Sequence, residues 1–258
     1  MLYRILRLAA RCESEYPKTT RADCFLGNRR EMITTVIFDL DDTLYDEIDY
    51  CRSGFASVCK RLARLPGAPA AQRIFEALWR QFAAGNRTKT FNAALDDLGI
   101  ICDDRLIAEL VQLYRTHVPN ITLPSDSRDV LTRLSRKYTL ALLTDGFLPA
   151  QRLKVRALGI EKYFKTILYT EELGRDSWKP SPAGFEKIMQ TLNAPPHSMA
   201  YVADSELKDF IAPNKLGMAT ICLLRPSRIH TQTSDDPNAK PHNIITQITD
   251  LPALLAAL

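Results

Sequence analysis

The chain has 258 residues, more than one modal domain, so one domain carrying a large insertion, or two domains, is expected. A hydrophobic fraction of 46% and a charged fraction of 25% are those of an ordinary globular protein, and no apolar run approaches the roughly 18 residues needed to cross a bilayer. Residues 1–31 carry seven Lys/Arg against four Asp/Glu, so most of the net charge of +4 sits there and the remainder gives no reason to expect nucleic-acid binding.

The chain opens on a short basic amphipathic stretch, Met1-Leu-Tyr-Arg-Ile-Leu-Arg, without the long apolar segment of a secretory signal. Residues 1–31 are expected to be a disordered or dispensable tail, with Met32 as an alternative start. The six cysteines show neither a CxxC pair nor zinc spacing with histidine, which predicts free thiols in a reducing, cytoplasmic compartment.

Val36-Ile37-Phe38 is a β-branched and aromatic run that predicts a strand buried on both faces. It ends in Asp39, Asp41 and Asp42. Three carboxylates in four positions repel one another, so a counter-cation with a preference for oxygen ligands, most simply Mg²⁺, is expected there; an acidic turn is the plainer alternative.

Residues 47–121 read as four helices. Phe55, Val58, Cys59, Leu62 and Leu65 recur at three and four before Pro66-Gly67. Ile74, Leu78, Trp79 and Phe82 lead to Gly85, Phe91, Ala94, Leu95 and Leu98 to Gly99, and Leu106, Leu110, Leu113 and Tyr114 precede Pro119. Short connections between them predict a small bundle inserted directly after the acidic strand end.

From residue 122 helices and strands alternate. The predicted elements are helix 126–137, strand 138–144, helix 149–158 closed by Gly159, strand 166–169, helix 183–192, strand 199–203, helix 206–216 closed by Gly217, strand 219–223, a loop over 225–242, a strand at 243–246 and helix 251–258. This alternation predicts a Rossmann-like α/β core, a parallel sheet with helices on both faces, built from residues 32–46 and 122–258.

Ligands of open parallel sheets bind beyond the carboxyl ends of the strands. Polar residues stand there in order: Asp39 and Asp41, then Thr144-Asp145-Gly146, then Lys179, then Asp204 and Asp209. Singly, Thr144 or Asp204 has a plain account as a helix cap and Lys179 as a solvated loop residue. Four such residues at four successive strand ends point instead to one site.

Asp39-Leu-Asp41-Asp-Thr43, Thr144, Lys179-Pro180 and Asp204-(four residues)-Asp209 resemble the four ordered motifs of the haloacid dehalogenase-like hydrolase superfamily, over roughly residues 33–250. The helical insertion is similar to the α-helical cap of its phosphoglycolate phosphatase-like and dehalogenase-like branch. Two departures are visible: Ala203 stands where glycine usually precedes the fourth-motif aspartate, and Asp145 where asparagine often follows the threonine.

The resemblance implies a phosphoric monoester hydrolase. Asp39 would be the nucleophile, Asp41 the general acid and base, and Thr144 a holder of phosphoryl oxygens. Lys179 would offset charge repulsion. Mg²⁺ would be ligated by Asp39, the Asp41 carbonyl and Asp204, with Asp209 reaching it directly or through water. Asp41 favours phosphate esters over dehalogenation, because an alkoxide needs a proton to leave and a halide does not. Arg52, Arg80, Asn86, Arg87 and Lys89 are the specificity candidates of the cap, against a plainer account as surface side chains. Trp79 reads as core, and His117, His197, His230 and His242 fit no motif. The expected partner is a small phosphorylated metabolite, with no nucleic acid and no membrane. A phosphomutase on the same scaffold and a non-catalytic binding protein are the rivals.

Overall fold

A computed structural model describes residues 32–258, so the expected tail over 1–31 lies outside the described residues. The sheet is built from β1 (Thr35–Phe38), β2 (Thr139–Thr144), β3 (Thr166–Tyr169), β4 (Met199–Ala203), β5 (Ala219–Leu223) and β6 (Asn243–Ile245). Every neighbouring pair is parallel, in the order β3-β2-β1-β4-β5-β6. The helices are α1 (Glu47–Leu62), α2 (Ala71–Ala83), α3 (Thr90–Asp97), α4 (Asp104–Thr116), α5 (Ser125–Leu134), α6 (Ala150–Leu158), α7 (Ala183–Leu192), α8 (Ile211–Leu216) and α9 (Leu251–Ala257).

Because successive strand residues point to opposite faces, the apolar runs feed two cores at once. Val36, Phe38, Leu140, Leu142, Val202 and Ile221 pack with α5, α6 and α9. On the other face Ile37, Ala141, Leu143, Tyr201 and Cys222 pack with Phe185 and Ile188 of α7 and Ala212 of α8. The result is the three-layer α/β arrangement expected from the alternation.

The helices α1 to α4 bury a third cluster of their own, centred on Phe55, Val58, Leu62, Ile74, Leu78 and Leu95. They leave the chain directly after the acidic turn that follows β1. Among the described residues no helix is long and apolar enough to cross a membrane.

Two helices are shorter than expected, and the one expected over 126–137 is Ser125–Leu134, followed by turns. Instead of running from 206 to 216, α8 covers only Ile211–Leu216, preceded by turns. Pro213 gives the reason: it has no N–H and clashes with the preceding turn inside a helix, but is tolerated within the first turn. The freed segment lets Asp209 fold back, where its Oδ2 accepts the Ser205 N–H at 3.1 Å.

Candidate active site

The strand order reverses direction around β1, with β2 on one side and β4 on the other, which is where open α/β sheets bind ligands. Asp39 and Asp204 are the residues immediately beyond β1 and β4. Their strands are held in register by the Phe38–Val202 pairing and by the Asp39 N–H bonding the Val202 carbonyl at 2.9 Å.

Lys179 reaches them from the loop after β3. Its Nζ donates to Asp39 Oδ1 at 2.6 Å and to the Tyr201 hydroxyl at 3.0 Å, and lies 2.7 Å from Asp209 Oδ1. The three charged side chains are at most 4% exposed. Tyr201 donates in turn to Asp209 Oδ1 at 3.0 Å. Both oxygens of Asp209 are therefore engaged by protein donors, and Asp209 anchors Lys179.

Asp39, Asp204 and Asp209 each present a carboxylate oxygen such that all three lie within 4.8 Å of one another. Burial pushes Asp39 up to about 6 against the pull of Lys179. Burial and the charges of Asp209 and Asp39 push Asp204 up to about 9. Burial also works against Asp209, yet Lys179 and Lys208 hold it below the usual carboxylate range. Asp204 Oδ2 is buried with no hydrogen-bond partner. An orphaned oxygen among hard carboxylate donors fits a divalent cation of the Mg²⁺ type.

The three acids after β1 diverge instead of crowding one ion. Asp41 receives Lys154 Nζ on both oxygens, at 2.8 and 2.9 Å, with Tyr45 Oη donating at 2.5 Å and Gln151 Nε2 at 2.9 Å. Asp42 adopts a left-handed conformation, φ 53°, which aspartate tolerates in turns. Its carboxylate accepts the Glu47 N–H at 2.8 Å and the Ile229 N–H at 2.6 Å. Lys154 keeps Asp41 below its ordinary range despite burial, whereas burial and the Asp41 charge push Glu47 up to about 7.

Thr144 lies just behind this surface, 1% exposed, with its hydroxyl accepting from Gln151 at 2.6 Å. Asp145 accepts the Thr170 hydroxyl at 2.8 Å and the Lys179 N–H at 3.1 Å, so it fixes the lysine loop. Asp39, Asp41, Asp145, Lys179, Asp204 and Lys208 line a cavity of about 280 Å³. A second cavity of about 570 Å³ adjoins it under α1 to α4, the two sharing Asp41, Glu47, Asp145, Gly146 and His230.

Of the cap candidates, Arg87 lines the larger cavity. Arg52 pairs with Asp49 at 3.1 Å and Arg80 with Asp97 at 3.8 Å, while the Asn86 side chain binds Gln81 and the Lys89 N–H. Trp79 stacks on Phe75 at the edge of the helical cluster. His117 binds the Tyr114 carbonyl and Ser53, and His242 binds Thr220.

Lys154, Gln151, Lys208 and His230 are site residues that the motifs do not reveal. For the first two a signal existed: Ala150, Gln151, Lys154, Val155 and Leu158 form the buried stripe of α6, and two polar residues in such a stripe need buried partners. Lys208 stands inside the gap between Asp204 and Asp209. His230 sits in a long loop with no periodicity to read.

The chain is 25% identical over 241 residues to the N-acylneuraminate-9-phosphatase of Mus musculus, covering 88% of this chain and 95% of that protein. It is 26% identical over 204 residues to the glyceraldehyde 3-phosphate phosphatase of Methanopyrus kandleri, covering 75% and 85%. The structure resembles the 2-haloacid dehalogenase of Pseudomonas syringae with a TM-score of 0.60 and 25% identity, over 88% of this chain and 99% of that one. The family described as haloacid dehalogenase-like hydrolase matches residues 36–223. A match running from within β1 to the end of β5 carries every strand end described above, and the chain belongs to the haloacid dehalogenase-like hydrolases.

Proposed function

We propose that the chain is a Mg²⁺-dependent phosphatase that hydrolyses a small phosphorylated metabolite in the cytoplasm through an aspartyl-phosphate intermediate. It is a phosphoric monoester hydrolase, with relatives named as phosphatases. The observation that carries the reading is Lys179 Nζ held between Asp39 and Asp209, at 2.6 and 2.7 Å, beside the unpartnered oxygen of Asp204.

A carboxylate approaching a phosphate faces about 4 kcal/mol of repulsion per charge pair at ~4 Å and an effective dielectric of ~20. Lys179 offsets part of it at the attacking carboxylate. Mg²⁺, held by Asp39, Asp204 and the Asp41 carbonyl with Asp209 behind Lys179 or through water, would neutralise phosphoryl charge. Asp39 attacks phosphorus and the bond to the ester oxygen breaks, while Asp41, a carboxylate paired with Lys154 until it takes up a proton from the entering monoester, passes that proton to the departing alcohol. Asp41 then takes a proton from water, whose oxygen attacks phosphorus and frees Asp39 and inorganic phosphate. Thr144, locked by Gln151, and backbone N–H groups beside it hold the phosphoryl oxygens.

Residues 47–121 serve as the cap, over a core of 32–46 and 122–258. The cap excludes bulk water from the cleft, and Arg87 is one of its specificity residues. The test is phosphate release from a panel of phosphate monoesters, with and without EDTA, using Asp39→Asn as the blank. Release that needs Mg²⁺ and vanishes in the blank supports the reading. Inertness of folded protein toward every ester overturns it, and isomerised sugar phosphate without free phosphate identifies a mutase.

A further inference from the structure

The larger cavity has a wall and a charge pattern of its own. Tyr50, Phe55, Phe91, Tyr114, Phe147 and Ile229 supply apolar and aromatic surface. Two guanidinium groups sit over rings that line it: the Arg115 Cζ lies 3.5 Å from the centre of the Phe147 ring and the Arg87 Cζ 3.8 Å from the centre of the Phe82 ring. Among the described residues neither has an ion pair with a carboxylate. Arg175, which also faces Phe147, is paired with Glu171 at 3.7 Å, and the Glu171 charge reaches Arg115 only at longer range.

The charges are sorted along the cleft. Asp41, Glu47 and Asp145 line the passage shared with the smaller cavity, whereas Arg87 and Arg115 line the larger cavity alone. A group leaving phosphorus at Asp39 therefore passes acids first and reaches cations beyond. A planar guanidinium stacked on a ring keeps its edge donors for a carboxylate, which it meets as a two-pronged partner.

Size narrows the occupant further. A cavity of about 570 Å³ is in the range that encloses medium-sized ligands. A three-carbon alcohol of six heavy atoms, even at the roughly 30 Å³ that a whole water molecule takes in the liquid, would fill no more than about a third of it.

The geometry points to a substrate class: the phosphate monoester of an alcohol larger than three carbons that carries a carboxylate and a flat or apolar flank, with Arg115 or Arg87 as the carboxylate's partner. This rests on the phosphatase reading of Asp39 and deepens it.

The test compares two esters differing in one group: the phosphate of 4-(hydroxymethyl)benzoate and that of 4-(hydroxymethyl)benzamide. The proposal expects the carboxylate ester to have a KM at least tenfold lower than the amide. At least one of Arg115→Met and Arg87→Met should shrink that ratio at least threefold. Equal KM values in the unaltered protein, or a ratio unmoved in both variants, overturn the class. Should neither ester release phosphate, calorimetric binding of the same two to the unaltered protein with Mg²⁺ separates the questions. Preferential binding of the carboxylate ester keeps the class and counts against hydrolysis; equal or absent binding overturns the class.

Discussion

Lys154 Nζ lies 2.8 and 2.9 Å from the two oxygens of Asp41 and ties α6 to the turn after β1. The side chains are 5% and 18% exposed, and the ammonium also sits 4.2 Å from the centre of the Tyr50 ring. Lys154 holds Asp41 as the carboxylate, the form that takes a proton from the attacking water, and so opposes the protonated form that the departing alcohol needs.

Lys154→Met is therefore expected to raise the pKa of Asp41 and to move the pH profile of kcat/KM for an alkyl phosphate toward higher pH. For p-nitrophenyl phosphate, whose leaving oxygen needs little proton, the profile should move less. Equal shifts on both esters, or no shift on either, would reduce Lys154 to a structural role.

How much of this site was legible depends on whether chemistry and sequence order coincide. Asp39, Asp41, Thr144, Lys179, Asp204 and Asp209 follow strand ends, so a pattern that locates strands also locates them. Partners are a different matter. That Asp41 would face Lys154 across 113 positions, or Asp42 the N–H of Ile229 across 187, depends on how layers stack, which periodicity does not encode. The crowding expected of Asp39, Asp41 and Asp42 is relieved because each faces different donors. A helix over 206–216 closed by Gly217 leaves Pro213 out of account, and Pro213 confines the helix to Ile211–Leu216.

The orphaned Asp204 oxygen leads to a metal prediction. A cation at a hundred times its Kd stabilises by about 2.7 kcal/mol, which for a domain of this size is about 5–10 °C in Tm. Mg²⁺ should raise Tm by that amount and EDTA should reverse it. Asp204→Asn should lose most of the shift; an undiminished shift in that variant would place the ion elsewhere.

Glu47 gives a stability prediction with a defined sign. Burial and the Asp41 charge raise it to about 7 from an ordinary value of 4.5. Between those values the folded chain holds a proton that the unfolded chain releases, so stability is full below the lower value and is lost as pH rises through the upper one. Glu47→Gln stays neutral throughout. Its Tm relative to the unaltered protein, measured in EDTA, should rise between pH 5 and pH 8; a constant or falling difference would contradict the shift.

Gly54 sets two opposed effects against each other. It is buried within α1, where alanine would gain about 1 kcal/mol of helix propensity. A Cβ there would fall against the Tyr114 ring, with Cδ2 at 2.5 Å and His117 Cε1 at 3.3 Å. The ring has little room to yield, since Tyr50, Phe55 and Phe91 pack around it with centroids 5.4, 5.7 and 6.0 Å away. Overpacking of this kind costs about 1–3 kcal/mol, so the clash should win and Gly54→Ala should lower Tm. In a Tyr114→Ala background the ring is gone and only the His117 contact at 3.3 Å stands against propensity, so the same substitution should raise Tm. Thermal melts of the four proteins read this sign reversal, and destabilisation of equal size in both backgrounds would place the cost somewhere other than Tyr114.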